Sequence, residues 1–299
     1  MHLKKRLEIK GHSGAIYSVD GYDDFVFTGS GDCFAAKWNL ITGVQERFAI
    51  KAEKSIYKVK LLNSHKHFVI GTSSGAMHVI DLESKTEIKH FTQHKSAIFE
   101  ITENQIKKQV YTSDADGNLA IWNSESWDLL LFLPLLTGKI RSVFVSPDGE
   151  KIYLACQNGD LKIFETTHFN EITSFSAHKL ACNCICISPQ NDLIFSGGKD
   201  GFLRIWDNQT FELKIEIPAH NFGIYDIQFL DDGKLFITAS RDKSIKLWDS
   251  KSLKVIQKIE RKDGGHSHAV NALYKKSELE FISVGDDKRI IYWELESSL

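Results

Sequence analysis

Hydroxyl, imidazole and carboxylate side chains recur at fixed spacings through this chain. In one copy, Thr238 and Asp242 precede Trp248 by ten and six residues, and His220 lies 18 residues before Thr238. A hydroxyl, an imidazole and a carboxylate brought into one cleft can act as nucleophile, base and orienting acid of a hydrolase. The residue types therefore raise acyl transfer as a first hypothesis.

The repetition of this constellation argues against that hypothesis. The chain holds five sets of four residues, namely His12, Thr28, Asp32 and Trp38; His94, Thr112, Asp116 and Trp122; His178, Ser196, Asp200 and Trp206; His220, Thr238, Asp242 and Trp248; and His266, Ser283, Asp287 and Trp293. An enzyme needs one such set in one cleft, and three of the five hydroxyls belong to Thr. We predict no catalytic residue and no enzyme activity.

Composition excludes several classes of protein. The 299 residues include 37 Lys and Arg against 39 Asp and Glu, and the isoelectric point of about 6.6 does not suit a chain that mainly coats nucleic acid or an anionic membrane. The start of the chain lacks the apolar core of a signal peptide, and no apolar run approaches the roughly 20 residues of a membrane span. Five cysteines form no disulfide framework, which fits a reducing compartment. We expect a cytoplasmic protein without membrane contact.

The dominant pattern is a repeat. Its anchor residue falls at intervals of 42 residues, except for a last interval of 45, at Trp38, Ile80, Trp122, Phe164, Trp206, Trp248 and Trp293. Each copy consists of short β-branched or aromatic segments separated by turn signals such as the SPDG at 146–149. Seven all-β units of this length, with about four strands each, predict a closed seven-bladed β-propeller.

The repeat resembles that of the WD40 family along almost the whole chain. The openings are Gly11-His12, Gln93-His94, Ala177-His178, Ala219-His220 and Gly265-His266, and full Trp-Asp endings occur at Trp206-Asp207 and Trp248-Asp249. The resemblance implies a single propeller domain over residues 1–299, with four-stranded antiparallel blades. It also implies that the strand-like segment Leu3 to Ile9 closes the ring as the outer strand of the last blade, which would put Lys4, Lys5 and Arg6 on or beside that edge.

The resemblance further implies a structural role for the five sets, which are called the tetrads below. In the family, Trp donates to the hydroxyl, the hydroxyl to His, and His to a buried Asp. In the second and fourth repeats the four positions hold Ala52, Ile70, Ser74 and Ile80, and Leu136, Leu154, Asn158 and Phe164. The His, hydroxyl and Trp positions become apolar together, as expected if a half-satisfied buried network is worse than an apolar core.

Metal and cofactor binding find little support in the sequence. Cys182, Cys184 and Cys186 alternate along one predicted strand, about 6.8 Å apart per step, too far to share a zinc ion with Zn–S bonds of about 2.3 Å. We interpret them as small apolar fillers on one face of an inner strand. The glycine pairs Gly197-Gly198 and Gly264-Gly265 are not part of a phosphate-loop motif. We predict no metal and no cofactor.

A candidate binding surface follows from the family, whose partners often bind the narrower top face near the central channel. Carried over position by position, this surface consists of the top-face ring: Tyr17, Tyr57, Phe99, Lys139, Arg141, Asn183, Lys199, Tyr225, Arg241, Asn271 and Asp286. The ring holds four aromatic side chains, four cations and one acid, a composition typical of interfaces. It predicts binding of a peptide or loop with acidic or phosphorylated groups. The alternative is that the aromatic side chains pack down the channel as core.

A second candidate surface lies on the outer strand of the third blade. Residues 129–133 read LLLFL, whereas the corresponding strand of another blade, 213–217, alternates apolar and charged residues as LKIEI. Leu130 and Phe132 would then face solvent and form a docking or self-association patch. The alternative is cover by a neighbouring loop.

The function that these observations favour is a non-enzymatic scaffold that binds other proteins or peptides and helps to assemble a complex. A reader of acidic or phosphorylated peptides is one alternative. A propeller hydrolase of the lactonase kind is another, and it would require a cluster of His, Asp or Glu at the channel mouth. Nucleic acid is an unlikely partner at this near-neutral charge. We expect a monomeric propeller or a subunit of a hetero-complex.

Overall fold

In the part of the chain that the structure describes, short β-branched and aromatic segments fold into 28 strands arranged as seven four-stranded antiparallel sheets. The computed structural model describes residues 1–62 and 64–296, so the last three residues of the predicted domain lie outside the described part. Two 3-10 turns, Asp231–Gly233 and Arg261–Asp263, complete the regular structure of this part. The all-β, seven-bladed propeller predicted from the 42-residue period is confirmed.

In six blades the strands follow chain order outward from the channel, and in the seventh the outermost strand comes from the start of the chain. The innermost strands are β2 (Ile16–Tyr22), β6 (Ile56–Leu62), β10 (Ile98–Asn104), β14 (Ile140–Val145), β18 (Cys182–Ile187), β22 (Ile224–Leu230) and β26 (Val270–Ser277). The second strands are β3 (Phe25–Ser30), β7 (His67–Thr72), β11 (Gln109–Asp114), β15 (Lys151–Cys156), β19 (Leu193–Gly198), β23 (Leu235–Ser240) and β27 (Glu280–Gly285). The third strands are β4 (Phe34–Asn39), β8 (Met77–Asp81), β12 (Asn118–Asn123), β16 (Asp160–Glu165), β20 (Phe202–Asp207), β24 (Ile245–Asp249) and β28 (Arg289–Glu296). The outermost strands are β5 (Gln45–Lys51), β9 (Thr86–Phe91), β13 (Leu129–Pro134), β17 (Glu171–Ser176), β21 (Leu213–Pro218), β25 (Val255–Ile259) and β1 (His2–Lys10).

The ring closes through β1, which pairs antiparallel with β28 as the outer strand of blade seven. This confirms the expected closure by the N-terminal strand. Its basic residues reach across the pair, with Lys4 Nζ 2.8 Å from Glu296 and Arg6 3.1 Å from Glu294. Closure removes the unpaired backbone edge that β28 would otherwise present.

Apolar side chains fill the spaces between neighbouring blades. Between blades five and six, Phe195 and Phe236 are buried with ring centroids 5.3 Å apart, and Phe236 stacks on Trp248. Both faces of each sheet are covered by the adjacent blades, so the second strands are almost continuously buried. This packing makes the ring a rigid support for the loops at its two faces.

The tetrads are hydrogen-bonded chains that join the strands within a blade. In blade six the Trp248 Nε1–H donates to Thr238 Oγ1 at 3.0 Å, the hydroxyl lies 2.7 Å from His220 Nε2, and His220 Nδ1 lies 2.9 Å from Asp242. Burial acts to raise the pKa of Asp242, but the hydrogen bond and charge of His220 outweigh it and hold that pKa well below its usual range. The carboxylate can only accept, so Nδ1 donates and Nε2 accepts the hydroxyl proton. Corresponding distances in the other four tetrads are 2.7–3.1 Å.

The tetrad of blade three uses Asp114, and the assignment of Asp116 was wrong. His94 Nδ1 lies 2.7 Å from Asp114, which is fully buried at the end of β11, whereas Asp116 is exposed. Asp114 also accepts the backbone N–H groups of Asp116 and Asn118. In blade one, two residues accept the equivalent backbone N–H groups: Ser30 accepts that of Asp32, and Asp32 accepts that of Phe34. In blade three the Asp114 carboxylate has two oxygens and accepts both of these N–H groups as well as the His94 hydrogen bond.

Two further expectations are corrected by local backbone geometry. Leu136 does not enter the core in place of a histidine, because its left-handed backbone (φ 55°) turns the side chain outward and leaves it 90% exposed. The three alternating cysteines do not share one face. Cys182 packs towards blade four and Cys184 and Cys186 towards blade six, since a β-bulge at Asn183 separates them.

Candidate functional site

A β-bulge near the start of each inner strand builds the candidate site. In all seven blades one residue has no partner on the second strand, because the register shifts around it. A bulge bends its strand and re-aims the extra side chain. The seven residues are Tyr17, Tyr57, Phe99, Arg141, Asn183, Tyr225 and Asn271, all members of the top-face ring.

The remaining ring positions are held by a backbone hydrogen bond that recurs in every blade. The N–H of the residue at the end of the second strand donates to the carbonyl that precedes the inner strand. Lys199 donates to Ala181, Arg241 to Gly223 and Asp286 to Ala269, at 2.7–3.0 Å. This bond fixes each turn residue at the same level of the channel as the bulge residues. It does the same for Lys139, whose carbonyl accepts the N–H of Gln157.

The structure brings all eleven residues of the top-face ring together around the mouth of the channel. A cavity of about 650 Å³ runs into the channel and is lined by every member of the ring except Lys199. A second cavity of about 320 Å³ opens beside it, where Lys199 meets Lys139, Arg141, Tyr225 and Arg241. We call this second cavity the cationic corner.

Aromatic rings contact one another and the neighbouring cations around the mouth. Tyr17 meets Tyr57 edge-on at 4.9 Å between ring centroids, and Tyr57 lies 5.4 Å from Phe99. Lys139 Nζ lies 4.3 Å above the Phe99 ring, and the Arg141 guanidinium carbon 4.4 Å from the Tyr225 centroid. These six side chains are neither fully buried nor fully exposed, so they can contact both the channel wall and a bound molecule.

The electrostatics of the cationic corner are unbalanced. Burial lowers the pKa of Arg141, and burial together with the charges of Arg141 and Lys199 lowers that of Lys139. Among the described residues, no carboxylate forms an ion pair with Lys139, Arg141, Lys199 or Arg241. The acid of the ring, Asp286, instead accepts a 2.8 Å hydrogen bond from Asn271. The corner can therefore accept anionic groups.

Comparison with known proteins places the repeat in a family. The family model described as "WD domain, G-beta repeat" matches residues 3–39, 169–207 and 211–249, which belong to blades of the ring. Three segments of the chain are WD40 repeats. The matched segments include Trp38, Trp206 and Trp248, which donate to tetrad hydroxyls in three of the blades.

Curated relatives of this WD40 chain are matched over little more than half of it. Kinesin-like protein KIF21B of Mus musculus is 28% identical over 174 residues, covering 56% of this chain and 9% of the relative. The human KIF21A is 26% identical over 165 residues, 8% of its length. WD repeat-containing protein 55 of Arabidopsis thaliana is 19% identical over 171 residues, 48% of its length. The aligned region thus spans less than a tenth of the kinesin-like relatives.

Sequence reasoning missed the charged residues deeper in the WD40 channel. Lys58 lies 2.6 Å from Glu100, and Lys60 lies 3.1 Å from Asp20. Asp226 accepts the N–H groups of Ile227 and Leu273, yet burial raises its pKa to about 6. The repeat alignment could have located them, because Lys58, Glu100 and Asp226 each follow a bulge residue by one position.

Within the described chain, no helix is long and apolar enough to span a membrane.

The outer strand of blade three presents less apolar surface than the sequence indicates. Leu130 is 51% exposed, but Phe132 packs on the core between blades two and three, 5.8 Å from the His94 ring. A bulge between β12 and β13 leaves Leu130 unpaired and sets Phe132 opposite Ala120, on the buried face. Exposed apolar residues occupy the same bulge position in other blades, at Ile88, Ile172 and Ile256. Leu130 therefore follows a general pattern, and the predicted exposure of Phe132 was wrong.

Proposed function

We propose that this WD40 propeller is a non-enzymatic scaffold that binds an acidic or phosphorylated segment of a partner protein at its top face. The observation that best supports this proposal is the cationic corner, where four cations surround a cavity of about 320 Å³. Among the described residues, no carboxylate forms an ion pair with any of the four. WD40 propellers generally bind other proteins.

The aromatic side of the mouth supplies the rest of the recognition. Tyr17, Tyr57 and Phe99 form an arc of rings next to the corner. Tyr and Arg are the residue types that contribute most to interface energies when they are desolvated. A segment with an anionic group in the corner could lay an apolar or aromatic neighbour on this arc. The ring at the mouth offers no acid–base pair, since Asp286 is engaged by Asn271.

The kinesin-like relatives do not extend this proposal to motor activity. The aligned region is 8–9% of their length. What this chain shares with WD repeat-containing protein 55 of Arabidopsis thaliana is the repeat. Function on such a fold is set by its surface residues and not by the fold itself.

The test is affinity purification from the native cell with mass spectrometry, comparing the wild-type chain with Lys199→Glu/Arg241→Glu. Both side chains are exposed at the ends of second strands, so the reversal leaves the packing intact. We expect at least one wild-type partner to be lost. Phosphatase treatment of the lysate before capture separates the two kinds of anion, because it releases a partner held by phosphate and keeps one held by Asp or Glu.

The matched control is Lys251→Glu/Lys254→Glu. These residues lie in the turn between β24 and β25, at the opposite end of the blade from Arg241, because the strands are antiparallel. The control also replaces two positive charges by negative ones, and we expect it to bind every partner of the wild type. Retention of all partners by Lys199→Glu/Arg241→Glu, with both variants folded, would show that the corner does not bind them.

A further inference from the structure

Two histidines and a glutamate meet on the outer half of blade two, away from the top face. His78 on β8 pairs directly with His90 on β9. The register shifts between Val79 and Ile80, so Ile80 pairs with Glu87 instead of Ile88. Because side chains alternate between the faces of a strand, this one-residue shift moves Glu87 onto the face that carries both histidines.

The ligand atoms of these residues lie at distances suited to one metal ion. His78 Nδ1 is 3.5 Å from Glu87 Oε1, and one potential ligand atom from each of the three residues lies within 4.8 Å of the others. Two donors about 2.0–2.2 Å from a tetrahedral zinc ion lie roughly 3.3–3.5 Å apart. The two imidazole rings stack with centroids at 4.5 Å. The His78 side chain is only 14% exposed, whereas His90 and Glu87 are exposed and can close on an ion by small rotations.

We propose that His78, Glu87 and His90 form a binding site for a divalent transition metal ion, with zinc as the best match. Two imidazoles and one carboxylate are a donor set that zinc accepts, and a three-residue set leaves the fourth tetrahedral position to water. The site joins the exposed outer strand β9 to the paired strand β8. A bound ion therefore cross-links the edge of this blade.

The same positions in blade four support the need for a positive charge. There Lys162 occupies the place of His78 and Glu171 the place of Glu87, and Lys162 Nζ lies 2.8 Å from Glu171. This ion pair shows that the two positions come into contact across the bulge. In blade two the lysine is replaced by the imidazole of His78, a common metal ligand. A divalent ion would supply there the charge that Lys162 supplies in blade four.

The test titrates Co²⁺ and Zn²⁺ into the chelator-stripped full chain. Co²⁺ is followed by its visible absorption and Zn²⁺ by calorimetry and by the melting temperature. We expect one Zn²⁺ per chain, a higher melting temperature with zinc, and a tetrahedral Co²⁺ spectrum without the intense ultraviolet band of a thiolate ligand. His90→Ala should weaken binding by at least about tenfold, since it removes one of three protein ligands. Glu87→Gln should also weaken it, as it removes the charged ligand.

His168→Ala is the matched control, because His168 is an exposed histidine in the turn that precedes β17 of blade four. It should leave binding and the zinc-dependent melting shift unchanged. Equal zinc affinity in His90→Ala and wild type would overturn the proposal, as would a Co²⁺ spectrum dominated by thiolate ligation. All three variants alter exposed side chains, and their melting curves without metal establish that they are folded.

Discussion

Arg141 of blade four reaches the ring of Tyr225 of blade six, with its guanidinium carbon 4.4 Å from the ring centroid. Both residues are the unpaired members of inner-strand bulges. The contact joins blades four and six across the mouth of the channel and holds the Arg141 guanidinium group in a half-buried position. The bulges of the inner strands thus place one of the four cations of the top face.

Replacing Tyr225 by Leu should lower the free energy of unfolding by about 1–2 kcal/mol, because a partly desolvated cation loses its aromatic face. Urea denaturation measures this change. Tyr225→Phe retains the ring and is the control, with an expected loss below about 0.5 kcal/mol. Equal losses in the two variants would mean that the hydroxyl, and not the ring, stabilises this region.

The tetrad of blade three distinguishes two aspartates that are two residues apart. Asp114→Ala removes a buried acceptor and strands the His94 Nδ1–H and two backbone N–H groups, so it should cost at least about 1–3 kcal/mol. Asp116→Ala alters an exposed side chain outside the network and should stay within about 0.5 kcal/mol. Thermal and urea unfolding of both variants provide the comparison. The reverse order of losses would return the role to Asp116.

Asp226 should make stability depend on pH in a direction opposite to that of an ordinary paired carboxylate. Burial raises its pKa from 3.8 to about 6 in the folded chain. The folded state therefore binds the proton more tightly than the unfolded state, and the contribution is present at low pH and lost as pH rises through 6. Between pH 7.5 and pH 5 the wild type should gain about 1–2 kcal/mol relative to Asp226→Asn.

Urea unfolding at several pH values measures this difference. Its control is the exposed Asp232→Asn, which should follow the wild-type curve. A constant difference between Asp226→Asn and wild type across that range would show that Asp226 does not take up a proton there.

The outer strand of blade three provides a test of the corrected orientation. Phe132→Glu places a charge against the core next to His94 and should cost about 2–3 kcal/mol. Leu130→Lys changes a half-exposed bulge residue and should stay within about 0.5 kcal/mol. Melting temperatures of the two single variants measure the contrast. Similar losses in both would mean that the two side chains share one environment.

The sequence by itself determined the number of blades and the members of the top-face ring. Anchors such as Trp206 and Trp248 recur at a fixed interval, and equivalent positions of a repeat must occupy equivalent places when every unit packs on the next. For the same reason four of the five tetrads could be assigned residue by residue. Aligning the repeats was enough to bring Arg141 and Tyr225 to one face.

Only the tertiary structure decided features that depend on local backbone geometry. Whether Asp114 or Asp116 reaches His94 depends on where the strand ends and the turn begins. The bulges decide which face Cys182, Phe132 and Glu87 occupy, because one extra residue inverts the alternation of side chains along a strand. A period of 42 residues carries no signal for that inversion, since the shift arises from the pairing of two strands and not from either strand alone.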